Sequence, residues 1–438
     1  MIERLQVSHL RNLSEANLHT AACNVIIGAN GSGKTSLLEA VFLLSRGKSF
    51  RHHQPKRYIQ HHQSAATVYA KLSDKSTLAI QKAVDATTIL RLNQNTVYNQ
   101  SILTEQLPTL LIDPSTMDML EQGSASRRQL LDWLVFHMKP GFHPQWVAYQ
   151  RLLKQRNSLL KQTNALNKNQ LAELKAWDKG LASHAALINH YREQVFHAWQ
   201  PYFAQTNTQL LPAYADQLSL SYNAGYDTDI ALDIQLNERL EQDMHLGYTR
   251  IGNHRADVHV HWRSSSKAIN TKPTETSKNP NTHLNADNHP NTDTGADQEK
   301  SNSDKALPVL KEQAANVLSR GEKKLLITAL RLSQLPLLLN YEMPSKQKNE
   351  QTYEQNEADI TTNNETRVAP KVTPVVLLDD ITAELDGRAI NILLSTLAQL
   401  PCQVFMTSLT DDIVPLVNKL WSKPALFHVK QGVFSLQV

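Results

Sequence analysis

Residues 24–46 read Asn24-Val25-Ile26-Ile27-Gly28-Ala29-Asn30-Gly31-Ser32-Gly33-Lys34-Thr35-Ser36 and then LLEAVFLLSR. A short apolar strand runs into a glycine-rich turn, and the turn runs into a largely apolar helix closed by Gly47. The eight residues from Gly28 to Thr35 fit the spacing G-x-x-x-x-G-K-[ST]. Glycine lets the backbone wrap closely around a phosphate and point its N–H groups inward. Lys34 can reach the outer phosphates, the Thr35 hydroxyl can ligate Mg²⁺, and the helix N-terminus that carries Ser36 adds a favourable partial charge. An ordinary glycine turn is the alternative, and a full pattern between a strand and a helix leaves it little room.

A second element lies far downstream. Val375-Val376-Leu377-Leu378-Asp379-Asp380 is a bare apolar run ending in two carboxylates. Such a run reads as a buried central strand, and ligands in parallel sheets bind at the C-terminal ends of strands. Asp379 is expected to hold Mg²⁺, and Asp380 to orient or deprotonate the attacking water, with Lys34 as the second catalytic group. A third element, Leu318-Ser319-Arg320-Gly321-Glu322-Lys323-Lys324, opens a helix read over 319–339. Ser319 can cap that helix while its hydroxyl and the first N–H groups face an anion. Alone it would be no more than a cap; its place before Asp379 and Asp380 gives it weight.

Outward from these elements, Ile2–Leu10 and Asn24–Ile27 read as strands, and Val68–Leu72, Leu78–Val84 and Ile89–Leu92 as a meander. Residues 123–205 are strongly helical, with a polar break near Asn164–Asn169, and Val404–Met406 looks like a neighbour of the strand at 375–378. Residues 264–305 and 345–369 are Asn, Thr, Ser and charged residues with almost no large aliphatic side chain. They cannot bury enough apolar area to offset their ordering entropy and read as disordered insertions. The expected division is 1–122 and 370–438 as parts of one α/β domain, 246–263 with 306–344 returning to it, and 123–245 as an inserted helical domain.

Composition narrows the class. The chain has 438 residues, a formal charge of +4, a mean hydropathy of -0.42 and two cysteines, Cys23 and Cys402. No apolar run reaches the ~18–20 residues of a membrane span, and MIERLQVSHL alternates like a strand rather than a leader. Buried thiols in a reducing cytoplasm are expected, with no membrane partner. The first insertion carries five basic and six acidic residues and the second three and five, so the rest of the chain holds +7. That suits a nucleic-acid partner without demanding one. The histidines show neither HExxH nor Cys/His ligand spacing, so no metal besides Mg²⁺ is expected.

The three elements in this order resemble the ABC-type ATPases. Leu318–Glu322 looks like their signature, with Arg320 for the usual glycine and Glu322 for the usual glutamine. Ala383-Glu384-Leu385-Asp386 looks like their D-loop, and Thr407 stands where many members carry a switch histidine. More narrowly the chain resembles the RecF family, bacterial recombinational repair ATPases related to the SMC proteins. The residues that carry this are Leu10–Leu13, Gly47–Arg51, Gly123–Asp132, Tyr149–Lys161, Gly252–Asp257 (with Ala256 a departure from a second acidic residue) and Asp379–Asp386. The resemblance implies an ABC-type P-loop ATPase head with an antiparallel β meander and an inserted helical domain. It implies ATP and Mg²⁺ as ligands and an ATP-bound homodimer in which Ser319 and Gly321 of one subunit touch the γ-phosphate held at Lys34 of the other. It also implies double-stranded and gapped DNA, RecR and RecO as partners, and help in loading RecA. A slow, DNA-stimulated ATPase is the expected activity.

Arg127, Arg128, Arg151, Lys154 and Arg156 in the helical segment are the candidate DNA contacts, although such a set is as often a solvated helix face. No base-reading motif is present, so sequence-independent binding is expected. Two other classes compete. A transporter ATPase subunit would not need the large helical insertion between Lys34 and Ser319. A structural switch with negligible turnover would carry the same motifs.

Overall fold

The computed structural model describes residues 1–114, 119–121, 123–162, 165–263, 311–340 and 372–437. The two polar stretches read as insertions lie outside the described residues.

The chain opens with β1 (Ile2–Leu10), β2 (Leu13–His19), β3 (Cys23–Ile27) and α1 (Lys34–Arg46), then β4 (Ala65–Leu72), β5 (Thr77–Ala83), β6 (Thr88–Leu92), β7 (Asn95–Val97), α2 (Gln100–Gln106) and β8 (Thr109–Ile112). Three helices follow, α3 (Ser124–Met138), α4 (Phe142–Gln162) and α5 (Lys168–Leu210), then β9 (Leu218–Asn223), α6 (Leu232–Glu238), α7 (Leu240–Leu246) and β10 (Asp257–Arg263). Next come β11 (Lys311–Gln313), α8 (Ala314–Val317), α9 (Arg320–Leu332) and α10 (Gln334–Asn340). The chain ends in β12 (Val375–Leu378), α11 (Ile381–Glu384), α12 (Gly387–Gln399), β13 (Gln403–Ser408), α13 (Val414–Leu420), β14 (Ala425–Lys430) and β15 (Val433–Gln437).

Two six-stranded sheets sandwich α1. One is antiparallel, in the order β2-β1-β4-β5-β6-β7; the other runs β15-β14-β3-β13-β12-β8. In the second, β14, β3, β13, β12 and β8 pair in parallel, and only β15 is antiparallel. Every residue of β3, β8, β12 and β13 is buried, which is why β12 reads as an unbroken apolar run and the others as apolar runs interrupted only by buried polar residues such as Asn24, Thr109, Gln403 and Thr407. Alternation divides their side chains between two cores. Ile26, Leu111, Val375, Leu377 and Phe405 pack on α1 and the antiparallel sheet, while Val25, Ile112, Val376, Leu378 and Met406 pack on the helices of the opposite face. Helix α1 is buried on almost every side, so an all-round apolar sequence suits it. It ends at Gly47, which adopts the left-handed conformation (φ 67°) and donates its N–H to Leu43 O at 2.8 Å.

Helices α4 and α5 form a hairpin. The polar break between them ends in a capping box in which Asn167 and Gln170 satisfy each other's backbone N–H. At 43 residues α5 is about 65 Å long at ~1.5 Å per residue. The base of the hairpin leads to a three-stranded antiparallel sheet, β11-β10-β9. The helix expected over 319–339 is two helices, broken at Ser333. Pro336 has no N–H for Leu332 O, and Ser333 Oγ takes up the Trp199 indole N–H at 2.9 Å.

Candidate nucleotide-binding site

Strand β3 delivers the glycine loop to the end of the parallel sheet. Gly28 N–H donates to Ser408 O at 3.3 Å, which ties the loop to β13. A Cβ on Gly28 would stand 2.5 Å from Val429 O, so only glycine passes beneath β14. Gly33 has φ 120°, and a Cβ there would crowd Leu13 and Asn12, so glycine closes the turn into α1. The Lys34 ammonium folds over the loop and donates to Gly28 O (2.7 Å) and Ala29 O (3.1 Å). Burial lowers its pKa, while Asp380 and Asp379 pull it back up. Ser32 Oγ is buried without a hydrogen-bond partner among the described residues.

The carboxylates meet the loop through two threonines. Thr35 Oγ1 donates to Asp379 Oδ1 at 3.0 Å, and Thr407 Oγ1 donates to the same oxygen at 2.8 Å. Thr407 Oγ1 also accepts the Asp380 N–H at 2.8 Å. Asp380 sits at φ 52°, a left-handed turn that aspartate tolerates, at the end of β12. Successive strand residues face opposite ways; this turn is what brings the second carboxylate round to the side of Lys34. Burial raises the Asp379 pKa, the Thr407 and Thr35 hydroxyls pull it down, and Asp113 and Asp380 push it up. Asp380 Oδ1 is buried without a protein partner among the described residues. These orphaned atoms, Ser32 Oγ beside the loop and Asp380 Oδ1 beside Lys34, fit a bound polyphosphate and a cation with its water shell.

Several supports escaped the sequence reading. Asn12, in the β1–β2 turn, donates from Nδ2 to Gly31 O (3.0 Å) and accepts the Ser36 hydroxyl at Oδ1 (2.9 Å), so it clasps both ends of the loop. Glu39 on α1 is fully buried and takes a bidentate pair from Arg11 (2.8 and 2.9 Å) and the Ser49 hydroxyl. This joins the Leu10–Leu13 turn to the segment after α1. The β14–β15 turn closes over the loop as well, with Gly432 N–H donating to Ser32 O at 2.7 Å. Asn12 lies in the family-like stretch Leu10–Leu13, and the partners of Glu39, Arg11 and Ser49, lie in two such stretches, but the pairings join residues remote in sequence.

Ser319 caps α9 in a capping box with Glu322, and Ser319, Arg320 and Gly321 are exposed. No hydrogen bond among the described residues joins Ser319 or Gly321 to the loop Gly28–Thr35. Lys324 instead pairs with Glu384 (2.5 Å) in the segment after Asp380. Asp386 caps α12 by accepting the Ala389 N–H at 2.8 Å.

The basic set does not form one surface: Arg156 and Arg127, expected to contact DNA, are instead held in ion pairs within the protein. Arg156 is fully buried, pairing with Asp178 at 2.7 Å and Asp243 at 2.8 Å, so its guanidinium cannot reach a phosphate. Arg127 spends its fork on Asp257 (2.9 and 2.7 Å), binding α3 to β10. Arg128 donates to Ala256 O at 2.7 Å. Arg151 and Lys154 are exposed on α4.

A phosphate loop on β3, a carboxylate pair on β12 two strands away, an antiparallel sheet over α1 and a capped helix α9 after a helical insertion define an ABC-type P-loop ATPase head. The sequence model described as the RecF/RecN/SMC N-terminal domain matches residues 1–433. The chain belongs to that family, and within it to the RecF proteins. It is 36% identical over 437 residues to the DNA replication and repair protein RecF of Acinetobacter baumannii (strain ATCC 17978), covering 99% of each chain. It is 35% identical to RecF of Acinetobacter baylyi, covering 94% of this chain and 93% of that one. Among solved structures, the recombination mediator protein RecF with ATP, of the RecFOR pathway, superposes with a TM-score of 0.71 at 20% identity, covering 100% of this chain and 97% of that one. An Smc head domain from Pyrococcus furiosus superposes with a TM-score of 0.50 at 13% identity, covering 100% and 95%. Among the described residues, no helix is long and apolar enough to cross a membrane.

Proposed function

We propose that the chain is an ATP-driven DNA-binding switch of recombinational repair, pairing with a second copy around two nucleotides on double-stranded or gapped DNA and acting with RecR and RecO to load RecA. The observation that carries this reading is the division of the site on one chain. Lys34, Thr35, Asp379 and Asp380 are assembled together, whereas Ser319 and Gly321 stand exposed and unjoined to them.

The backbone N–H groups of Gly28–Gly33 and the helix start at Lys34–Ser36 bind the polyphosphate, and Lys34 leaves its carbonyl partners for the outer phosphates. Thr35 and Asp379 would hold Mg²⁺, which would supply charge neutralisation at the outer phosphates. Asp380, turned toward Lys34, orients the attacking water and accepts its proton. Ser319 and Gly321 of a second copy complete the γ-phosphate cage and Asp386 lies at the same edge. ATP then holds the pair together through contacts that ADP cannot make. Turnover is slow and stimulated by DNA, and Arg151, Lys154 and Arg128 are the remaining candidates of the basic set for phosphate contact.

The test compares dimerisation and DNA binding with ATP, ADP and no nucleotide. Lys34→Met is expected to lose ATP-dependent dimers, while Asp380→Asn binds ATP, keeps the dimer and hydrolyses more slowly. Nucleotide-independent dimers in wild type and both variants would refute the switch.

A further inference from the structure

Glu322 is the residue that stands where ABC-type signatures carry glutamine, and both of its oxygens are used. Oε2 accepts the Ser319 backbone N–H at 2.8 Å, and Oε1 accepts the Tyr214 hydroxyl at 2.6 Å. The Glu322 N–H turns back to Ser319 Oγ at 3.4 Å. Ser319 Oγ is therefore an acceptor within its own cap, and its O–H proton is left for an outside anion. Tyr214 lies in the short turn Pro212–Tyr214 that follows α5, and its ring packs on Trp262 at the end of β10, centroids 5.2 Å apart. A capping box needs only the serine and the glutamate. The tyrosine is an addition, and it comes from the base of the helical hairpin.

We propose that Tyr214 is a positioning residue for the contact between the Ser319 hydroxyl and the partner copy's nucleotide. Held by Tyr214, the Glu322 carboxylate fixes the Ser319 backbone and aims its hydroxyl outward. Without that bond the carboxylate can swing to solvent, and the turn loses its single orientation. This rests on the switch reading above, since it matters only where Ser319 works across a dimer.

The experiment measures ATP affinity of the monomer and the ATP-dependent dimerisation constant for wild type, Tyr214→Phe, Glu322→Ala, Glu322→Gln, Ser319→Ala and the double variant Tyr214→Phe/Ser319→Ala. Loss of one such hydrogen bond weakens each signature contact about fivefold, and two contacts per dimer make that roughly 25-fold. Tyr214→Phe and Glu322→Ala should show this loss with monomer ATP affinity unchanged. Glu322→Gln should dimerise like wild type, because the amide can still accept from Ser319 N–H while donating to a rotated Tyr214 hydroxyl. In the Ser319→Ala background, Tyr214→Phe should add nothing. Wild-type dimerisation by Tyr214→Phe, or an additive loss in the double variant, overturns the assignment. Absence of ATP-dependent dimers in wild type overturns the switch reading itself.

Discussion

Thr407→Val tests whether one hydroxyl organises both carboxylates. Thr407 is fully buried, and valine matches its shape. The substitution removes a donor from Asp379 Oδ1 and the acceptor of the Asp380 N–H, both at 2.8 Å. An unsatisfied buried donor costs ~1–3 kcal/mol and a lost bond to a charged acceptor a similar amount, less the relief of no longer burying the hydroxyl. The expected loss of unfolding free energy is about 2–3 kcal/mol, and Thr407→Ser should keep most of it. The pH dependence has a definite sign. Burial already raises the Asp379 pKa and the Thr407 hydroxyl opposes the rise, so valine raises it further. A raised carboxylate favours the fold at pH below its unfolded value and loses that advantage as pH climbs, so the stability deficit of Thr407→Val grows from acid to neutral pH. Mg²⁺ competes with the same proton, so the Mg²⁺ requirement of ATP-dependent dimerisation is worst at low pH and recovers as pH rises. Urea unfolding and Mg²⁺ titrations run from about the ordinary aspartate value, near pH 4, up to neutral pH measure both trends. Stability within about 0.5 kcal/mol of wild type, together with a wild-type Mg²⁺ profile, would refute the reasoning.

Gly432→Ala should weaken ATP binding and lower stability by ~1–3 kcal/mol, because at φ 82° its Cβ would stand 2.3 Å from Asn12 O; calorimetric ATP titration and thermal unfolding read both effects. Arg156→Met should destabilise the helical hairpin by about 3–5 kcal/mol, since it leaves Asp178 and Asp243 buried without a cation, and the loss should be smaller in acid where a carboxylate is protonated. One guanidinium between two buried carboxylates cannot neutralise both, and burial pushes the Asp178 pKa up to about 6. Its contribution is therefore present below the ordinary aspartate range and lost as pH rises through about 6. Hydrogen exchange in α4 and α5 should quicken across that window in wild type and lose the trend in Asp178→Asn.

The local parts of the site were legible because their signals are local. Gly28–Thr35 needs only a strand before it and a helix after it, and the apolar run ending in Asp379-Asp380 declares a buried strand by itself. What was not legible depends on partners hundreds of residues apart. Thr407 read only as a replaced histidine, because its two bonds go to the end of β12. The turn at Gly432 carried no sign that it would rest on Ser32. Arg156 failed for a different reason, and the signal was present. Tyr149, Leu153, Arg156 and Leu160 follow helical spacing, and all four are buried. The arginine lies within the apolar stripe of α4, where a charge implies a buried counter-charge rather than a nucleic acid. Charge alone had grouped it with Arg151 and Lys154, which face outward.

The close approach of the β14–β15 turn to the glycine loop sets an order of events during synthesis. The loop is made early, but Ser408, Val429 and Gly432, which hold and cover it, come about 400 residues later. At about 5–20 residues per second, that separation is roughly 20–80 s on the ribosome. Throughout that interval Lys34 and Thr35 lack the strands that flank them, and a half-made chain cannot grip a nucleotide in the geometry described. The glycine loop therefore gains its covering hairpin only once the chain has been made through Gly432.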